Sequence, residues 1–235
     1  MALPKIATPV FMAVLPSNKM QIKYRPFLVK EEKALLLAKQ QESAPGLMLA
    51  VWEVINACTF GVLDIKTLAM IDLEFLFLRI QAKSVGEEQK VSFPCTVTEG
   101  CSGSVIKTIN TETDIVPISN PQHTSKIAIT DTVGIVMRYP TMQGNIDRLT
   151  SENFDEIDML IDCIDYIYDK DETFPASEQT REELSDFLQT MTDEQFGRLQ
   201  GFFETMPYMG FNLKFKCPVC EQDNEIELRG IESFF

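Results

Sequence analysis

Two pairs of cysteines sit at spacings that suit a metal. Cys217 and Cys220 share the tight turn of "NLKFKCPVCEQDNEIELRG". Thiolates separated by two residues on one turn can both face a single ion, and a soft tetrahedral metal such as zinc prefers such ligands. The stretch "KVSFPCTVTEGCSGSVIKTI" has the same layout: an alternating strand, Cys95, a polar turn, Cys101, and a second alternating strand. Its turn is wider, with five intervening residues, and Gly100 and Gly103 relax the backbone that must bring Cys101 back. Two such strand-turn-strand units facing one another make a zinc ribbon. The pattern therefore predicts one structural zinc held by Cys95, Cys101, Cys217 and Cys220. Four thiolates leave no open coordination position for water, which excludes hydrolytic chemistry at the metal. Cys58 and Cys163 lie in apolar, helix-like segments and read as small buried hydrophobes.

Other chemistries find little support. His123, the one histidine, sits in the turn-rich "SNPQHTSK" with no serine or cysteine pattern that would make it a general base. The acidic run from Asp155 to Glu172 lacks the central glycine and final glutamate of a calcium loop, and reads as solvated helix faces. No glycine-rich phosphate loop is present. With 21 Lys and Arg against 35 Asp and Glu, the formal charge of -14 repels a phosphate backbone, and no basic stripe offsets it. No apolar run is long enough to span a bilayer, and the prolines of "MALPKIATPVFMAVLP" interrupt what a signal peptide would need. The expectation is a soluble cytosolic protein that binds neither nucleic acid nor membrane.

The elements that must position the cysteines follow from periodicity. "VFMAVLP" and "MQIKYRPF" flank the turn "PSNK" and predict a hairpin. "LVKEEKALLLAKQQ", "LMLAVWEVINAC" and a stretch from about Asp72 onward predict helices. From Glu87 the period shortens to two, with Val91, Phe93, Ile127 and Ile129 alternating against polar neighbours. Ile157, Leu160, Ile161, Ile164 and Ile167 then recur at three and four residues and predict one continuous helical stripe. "TREE" and "TDEQ" have capping-box form and open two further helices, roughly 181 to 190 and 193 to 205. The connector 169 to 180 is expected to be flexible. The fold class expected is α+β: an N-terminal hairpin and helical block over 1–86, a discontinuous zinc-ribbon-like unit over 87–110 and 211–235, and inserted strands and helices over 111–210.

The order of these features resembles a known family. "YRPFLVKEEK", "IDLEFLFLRIQAKSVGE", "ITDTVGIVMRYPT", "DEQFGRLQGFFETMP" and "FKCPVCEQDNEIELRGIESFF" together are similar to the baseplate hub assembly proteins of T4-like contractile-tailed bacteriophages, over essentially the whole chain. The resemblance implies a non-enzymatic morphogenesis factor, an assembly chaperone or minor hub component. It would act in the host cytoplasm on other phage hub proteins, and its place could extend to the virion baseplate. Tyr24, Arg25 and Phe27 of the "YRPF" motif, with Phe202, Phe203, Met206, Phe234 and Phe235, are the candidate partner contacts. Arg25, flanked by aromatic residues, suits tying the hairpin to its own helices as well as gripping a hub protein, and the internal role is the one favoured. The rival reading is a zinc-ribbon nucleic-acid or regulatory module, which would need a basic stripe beside the ribbon. Oligomeric state is left open by the sequence.

Overall fold

The computed structural model describes residues 6–41, 43–151 and 155–230. Phe234 and Phe235 lie outside these residues, as does the rest of the terminal "IESFF". The described chain is mixed helix and antiparallel sheet, and it divides into two compact units.

The first unit takes in residues 6–65, 71–118 and 208–230. It opens with the expected hairpin, β1 Phe11–Val14 and β2 Gln21–Tyr24, paired antiparallel from Phe11 against Tyr24 to Val14 against Gln21. Two helices follow, α1 Val29–Gln40 and α2 Ala44–Cys58, the latter started by Ser43 as N-cap with Pro45 in its first turn. Helix α3, Met70–Val85, is apolar nearly all round, and Leu73, Phe75, Leu76, Phe77, Leu78 and Ile80 are all buried. A helix without a polar face belongs in the middle of a core. Its buried Asp72 is not an orphan, because it accepts hydrogen bonds from the Ser17 backbone N–H at 2.9 Å and from the Ser17 hydroxyl. That contact fixes the hairpin turn against α3. Strands β3 Glu88–Pro94 and β4 Ser104–Asn110 then form a second hairpin, and β5 Val116–Ile118 follows it.

The second unit comprises residues 66–70 and 119–207. Its sheet is antiparallel in the order β6 Lys126–Ala128, β7 Gly134–Met137, β8 Ile164–Tyr168 and β9 Thr173–Pro175. The helices are α4 Met142–Thr150, α5 Glu156–Asp162, α6 Arg181–Gln189 and α7 Asp193–Thr205. Ile135, Leu160, Cys163, Ile164, Leu188, Leu199 and Phe202 are the most buried members of one apolar cluster between them. Both capping boxes form. Thr180 and Thr192 accept from the backbone N–H of Glu183 and Gln195, whose side chains return the bond.

Two expectations for this unit are corrected. The stripe Ile157 to Ile167 is not one helix: α5 ends at Asp162, Cys163 caps it, and Ile164–Tyr168 is a strand. "IDYIY" is rich in β-branched and aromatic residues, and central pairing with β7 and β9 outweighs a helical spacing that a short segment satisfies by coincidence. Nor is 169 to 180 a loose connector. Asp169 Oδ1 accepts the N–H groups of Asp171 and Glu172 at 2.9 and 2.8 Å, which closes the β8–β9 turn, and a 3-10 turn at Ala176–Glu178 leads into α6.

The chain returns to the first unit through β10 Tyr208–Lys216 and β11 Asp223–Arg229, in a three-stranded sheet of order β11-β10-β5.

Candidate metal centre

Each cysteine pair lies at the tip of an antiparallel hairpin. β3 ends one residue before Cys95 and β4 begins three residues after Cys101, while β10 and β11 bracket Cys217 and Cys220 in the same way. The turns are closed by their own backbones. Cys95 N–H donates to the Gly103 carbonyl at 2.8 Å, and Cys217 N–H to the Gln222 carbonyl at 2.9 Å. Further N–H groups turn toward the sulfurs: Gly103 toward Cys101 Sγ and Val219 toward Cys217 Sγ, each at 3.4 Å.

The two hairpin tips meet. The four sulfurs all lie within 4.8 Å of one another, with Cys95 to Cys220 and Cys101 to Cys217 each at 3.7 Å. A disulfide needs about 2.05 Å, so these are four free thiols. Sulfurs placed about 2.3 Å from a shared centre at tetrahedral angles stand about 3.8 Å apart. The donor set therefore fits one tetrahedral metal ion with little movement.

Electrostatics support the same use. Thr98 donates its hydroxyl to Cys220 Sγ at 3.4 Å, and this bond with the Gln222 N–H lowers Cys220 to about 6. Backbone N–H groups of Thr98 and Val97 likewise lower Cys95. At Cys101 the Gly103 N–H favours the thiolate, but burial and the neighbouring sulfurs outweigh it and push the group up to about 11. Four adjacent sulfurs cannot all carry charge beside one another unless a cation sits among them.

Two contributors to this site, Asn224 and Thr98, went unrecognised in the sequence, and Gly103 was given a different role. Asn224, 2% exposed, accepts the Thr96 N–H at 2.9 Å and donates to the Gln222 carbonyl at 3.1 Å, joining the second hairpin to the first. It occupies the same face of β11 as Ile226 and Leu228. A lone asparagine at an inward strand position was the available signal. Thr98, the donor to Cys220, had no signal at all. Gly103 was expected to loosen the turn, but its role is room: a Cβ there would run into Cys217 Sγ and stand 3.2 Å from Val219 Cβ.

The remaining sites scatter. Tyr24 is buried, and Arg25, 9% exposed, pairs with Glu31 at 2.9 Å and donates to the Pro26 carbonyl. Glu31 also accepts the Leu28 N–H at 2.8 Å, at the start of α1. Arg25 thus ties the hairpin to its own helices. Phe27 is half-buried, its N–H held by Ser84 Oγ. In the second unit Phe202 belongs to the core, and Phe203, edge-on to it at 5.3 Å, and Met206 are half-buried. His123 bonds Thr205 through Nδ1 and stacks on Tyr139, and burial lowers its pKa. Cys58 and Cys163 are buried as expected, pushed up by burial to about 11 and about 12. No helix among the described residues is long and apolar enough to cross a membrane.

Comparison with known proteins adds an independent line. A family profile described as T4 bacteriophage base plate protein matches residues 8–235. The baseplate hub assembly protein gp26 of Enterobacteria phage T4 is 26% identical over 223 residues, which covers 91% of this chain and 92% of that protein. No solved structure matches.

Proposed function

The chain belongs to the T4 bacteriophage base plate protein family, and from that premise we propose that it is a non-enzymatic assembly factor. It binds other phage proteins while the central hub of the tail baseplate is put together, in the host cytoplasm, and carries one structural zinc on Cys95, Cys101, Cys217 and Cys220. The observation that carries the metal is the four sulfurs within 4.8 Å. The observation that carries the role is likeness, along nearly the full length of both chains, to a protein named for hub assembly.

Zinc suits the donor set because four thiolates at a tetrahedral spacing select a soft ion, and it has no redox chemistry of its own. Bound there, it would link hairpins whose cysteines are up to 125 residues apart in sequence, restricting the unfolded chain and coupling folding to metal. The nucleic-acid alternative gains nothing from the knuckle surroundings, where Lys214 of β10 is paired with Glu225 at 3.0 Å.

Elemental analysis of metal-replete protein should return about one zinc per chain, with sulfur ligands at about 2.3 Å by X-ray absorption. Folded protein purified without chelator and free of zinc would refute the metal. For the role, affinity isolation from infected cells should recover baseplate hub proteins with this chain in precursor hubs. Recovery of host nucleic-acid-binding complexes instead would overturn it.

A further inference from the structure

The second unit carries a groove of about 290 Å³ beside the β8–β9 turn and the start of α6. Its walls are apolar: Val133, Ile167, Phe174, Leu184 and Phe187. Two exposed carboxylates, Asp169 and Glu183, line the same groove. Neither carboxylate is a loosely held surface group. Asp169 Oδ1 is fixed by two backbone N–H groups of its turn, and Glu183 Oε2 by the N–H and hydroxyl of Thr180. These donors favour the ionised forms and lower both pKa values.

The surrounding field has the same sign. Residues 66–70 and 119–207 contain eighteen Asp and Glu against seven Lys and Arg, so most of the excess negative charge of the chain lies in this unit. Such a field draws cations toward the groove and turns away carboxylates and phosphates. An apolar slot is indifferent to a bare ion, whereas an anionic edge is indifferent to a purely apolar chain. Only a ligand with both features uses both.

We infer that this groove is a docking site for a partner segment that seats one aromatic or aliphatic side chain among Val133, Phe174 and Phe187 while an adjacent Lys or Arg meets Asp169 and Glu183. The volume sits at the low end of small-ligand pockets, about 300 Å³ upward, which suits one or two side chains. Preformed walls, a paired strand end and a capped helix start, spare the ordering cost that a loose surface would incur. The inference deepens the partner-binding reading above by giving the contact and its chemistry. It can be tested without any phage partner.

The probe is an end-blocked synthetic peptide, Gly-Lys-Phe-Lys-Gly, titrated into the isotope-labelled full chain by NMR. Saturable shifts should map to the β8–β9 turn, the 3-10 turn and the start of α6, and weaken several-fold between about 50 and about 300 mM salt. Replacing the peptide phenylalanine by serine, or its lysines by glutamates, should abolish them. Asp169→Asn with Glu183→Gln keeps the acceptors of the turn and capping box while removing both charges, and should weaken binding about threefold to tenfold. Equal shifts with the glutamate peptide, unchanged binding by the double variant, or no saturable shift with any peptide would each overturn the proposal. So would calcium alone moving these resonances when the lysine peptide does not. Failure here leaves zinc content and hub recovery untouched, which separates it from failure of the assembly reading.

Discussion

The two units hold themselves together by different means. The second is built from surface area and local rules: one apolar cluster around Leu160, Ile164 and Leu199, with helices opened by capping boxes at Thr180 and Thr192. The first also has a core around α3, but its hairpins depend on a few polar and sulfur contacts, two of them between distant parts of the chain. Asn224 reaches Thr96, Cys220 meets Cys95, and Arg25 holds Glu31. Apolar burial is tolerant, because its energy scales with area and many side chains share it. A four-thiolate cluster or a buried ion pair is not, since loss of one member strands the rest. The first unit should therefore fail sharply at single sites, and the second gradually.

The largest test is metal removal. A chelator, acid, or Cys217→Ser should release zinc and cost the first unit several kcal/mol, a fraction of the about 10–16 kcal/mol that structural zinc supplies in small peptides. Acid acts in this direction because the ligands bind as thiolates and protonation expels the ion. Hydrogen exchange should speed up along β3, β4, β10 and β11 while amides of β7 and β8 keep their protection. Uniform loss of protection in both units would erase the contrast drawn here.

Next comes Arg25→Ala. Removing the guanidinium leaves Glu31, 6% exposed, buried beside an empty space, and should cost about 3–5 kcal/mol by thermal or urea melting. The pair also sets a pH dependence. Burial alone would raise Glu31, but the Arg25 guanidinium and the Leu28 N–H outweigh it and hold the carboxyl below 4.5. This depressed value contributes stability that is complete above pH 4.5 and is lost as pH falls through the folded value. In Arg25→Ala the acid-sensitive component should shrink. An unaltered melting temperature would return Arg25 to the list of partner contacts.

Asn224→Ala should cost about 1–3 kcal/mol, because the Thr96 N–H loses its acceptor inside the knuckle. Metal content should persist while zinc exchange quickens, and a variant that exchanges zinc at the original rate would deny Asn224 its joining role. The smallest effect belongs to the second unit. Thr192→Ala removes the N-cap of α7 and should cost about 1 kcal/mol, with Thr192→Asn close to neutral. A loss several times larger would mean that this unit, too, hinges on single polar contacts.

The sequence by itself determined whatever depends on neighbours within a few residues. The hairpins, the capping boxes and the two cysteine knuckles were legible because turn chemistry, N-capping and ligand spacing are short-range and leave fixed residue patterns. Tertiary structure alone decided the rest. It turned Ile164–Tyr168 into a strand, because β7 and β9 lie on either side to pair with it, and helix spacing over eleven residues cannot foresee that. It also brought Asn224 to Thr96. A buried polar group reveals its purpose only when its partner arrives, and over 128 residues of sequence no local pattern encodes that meeting.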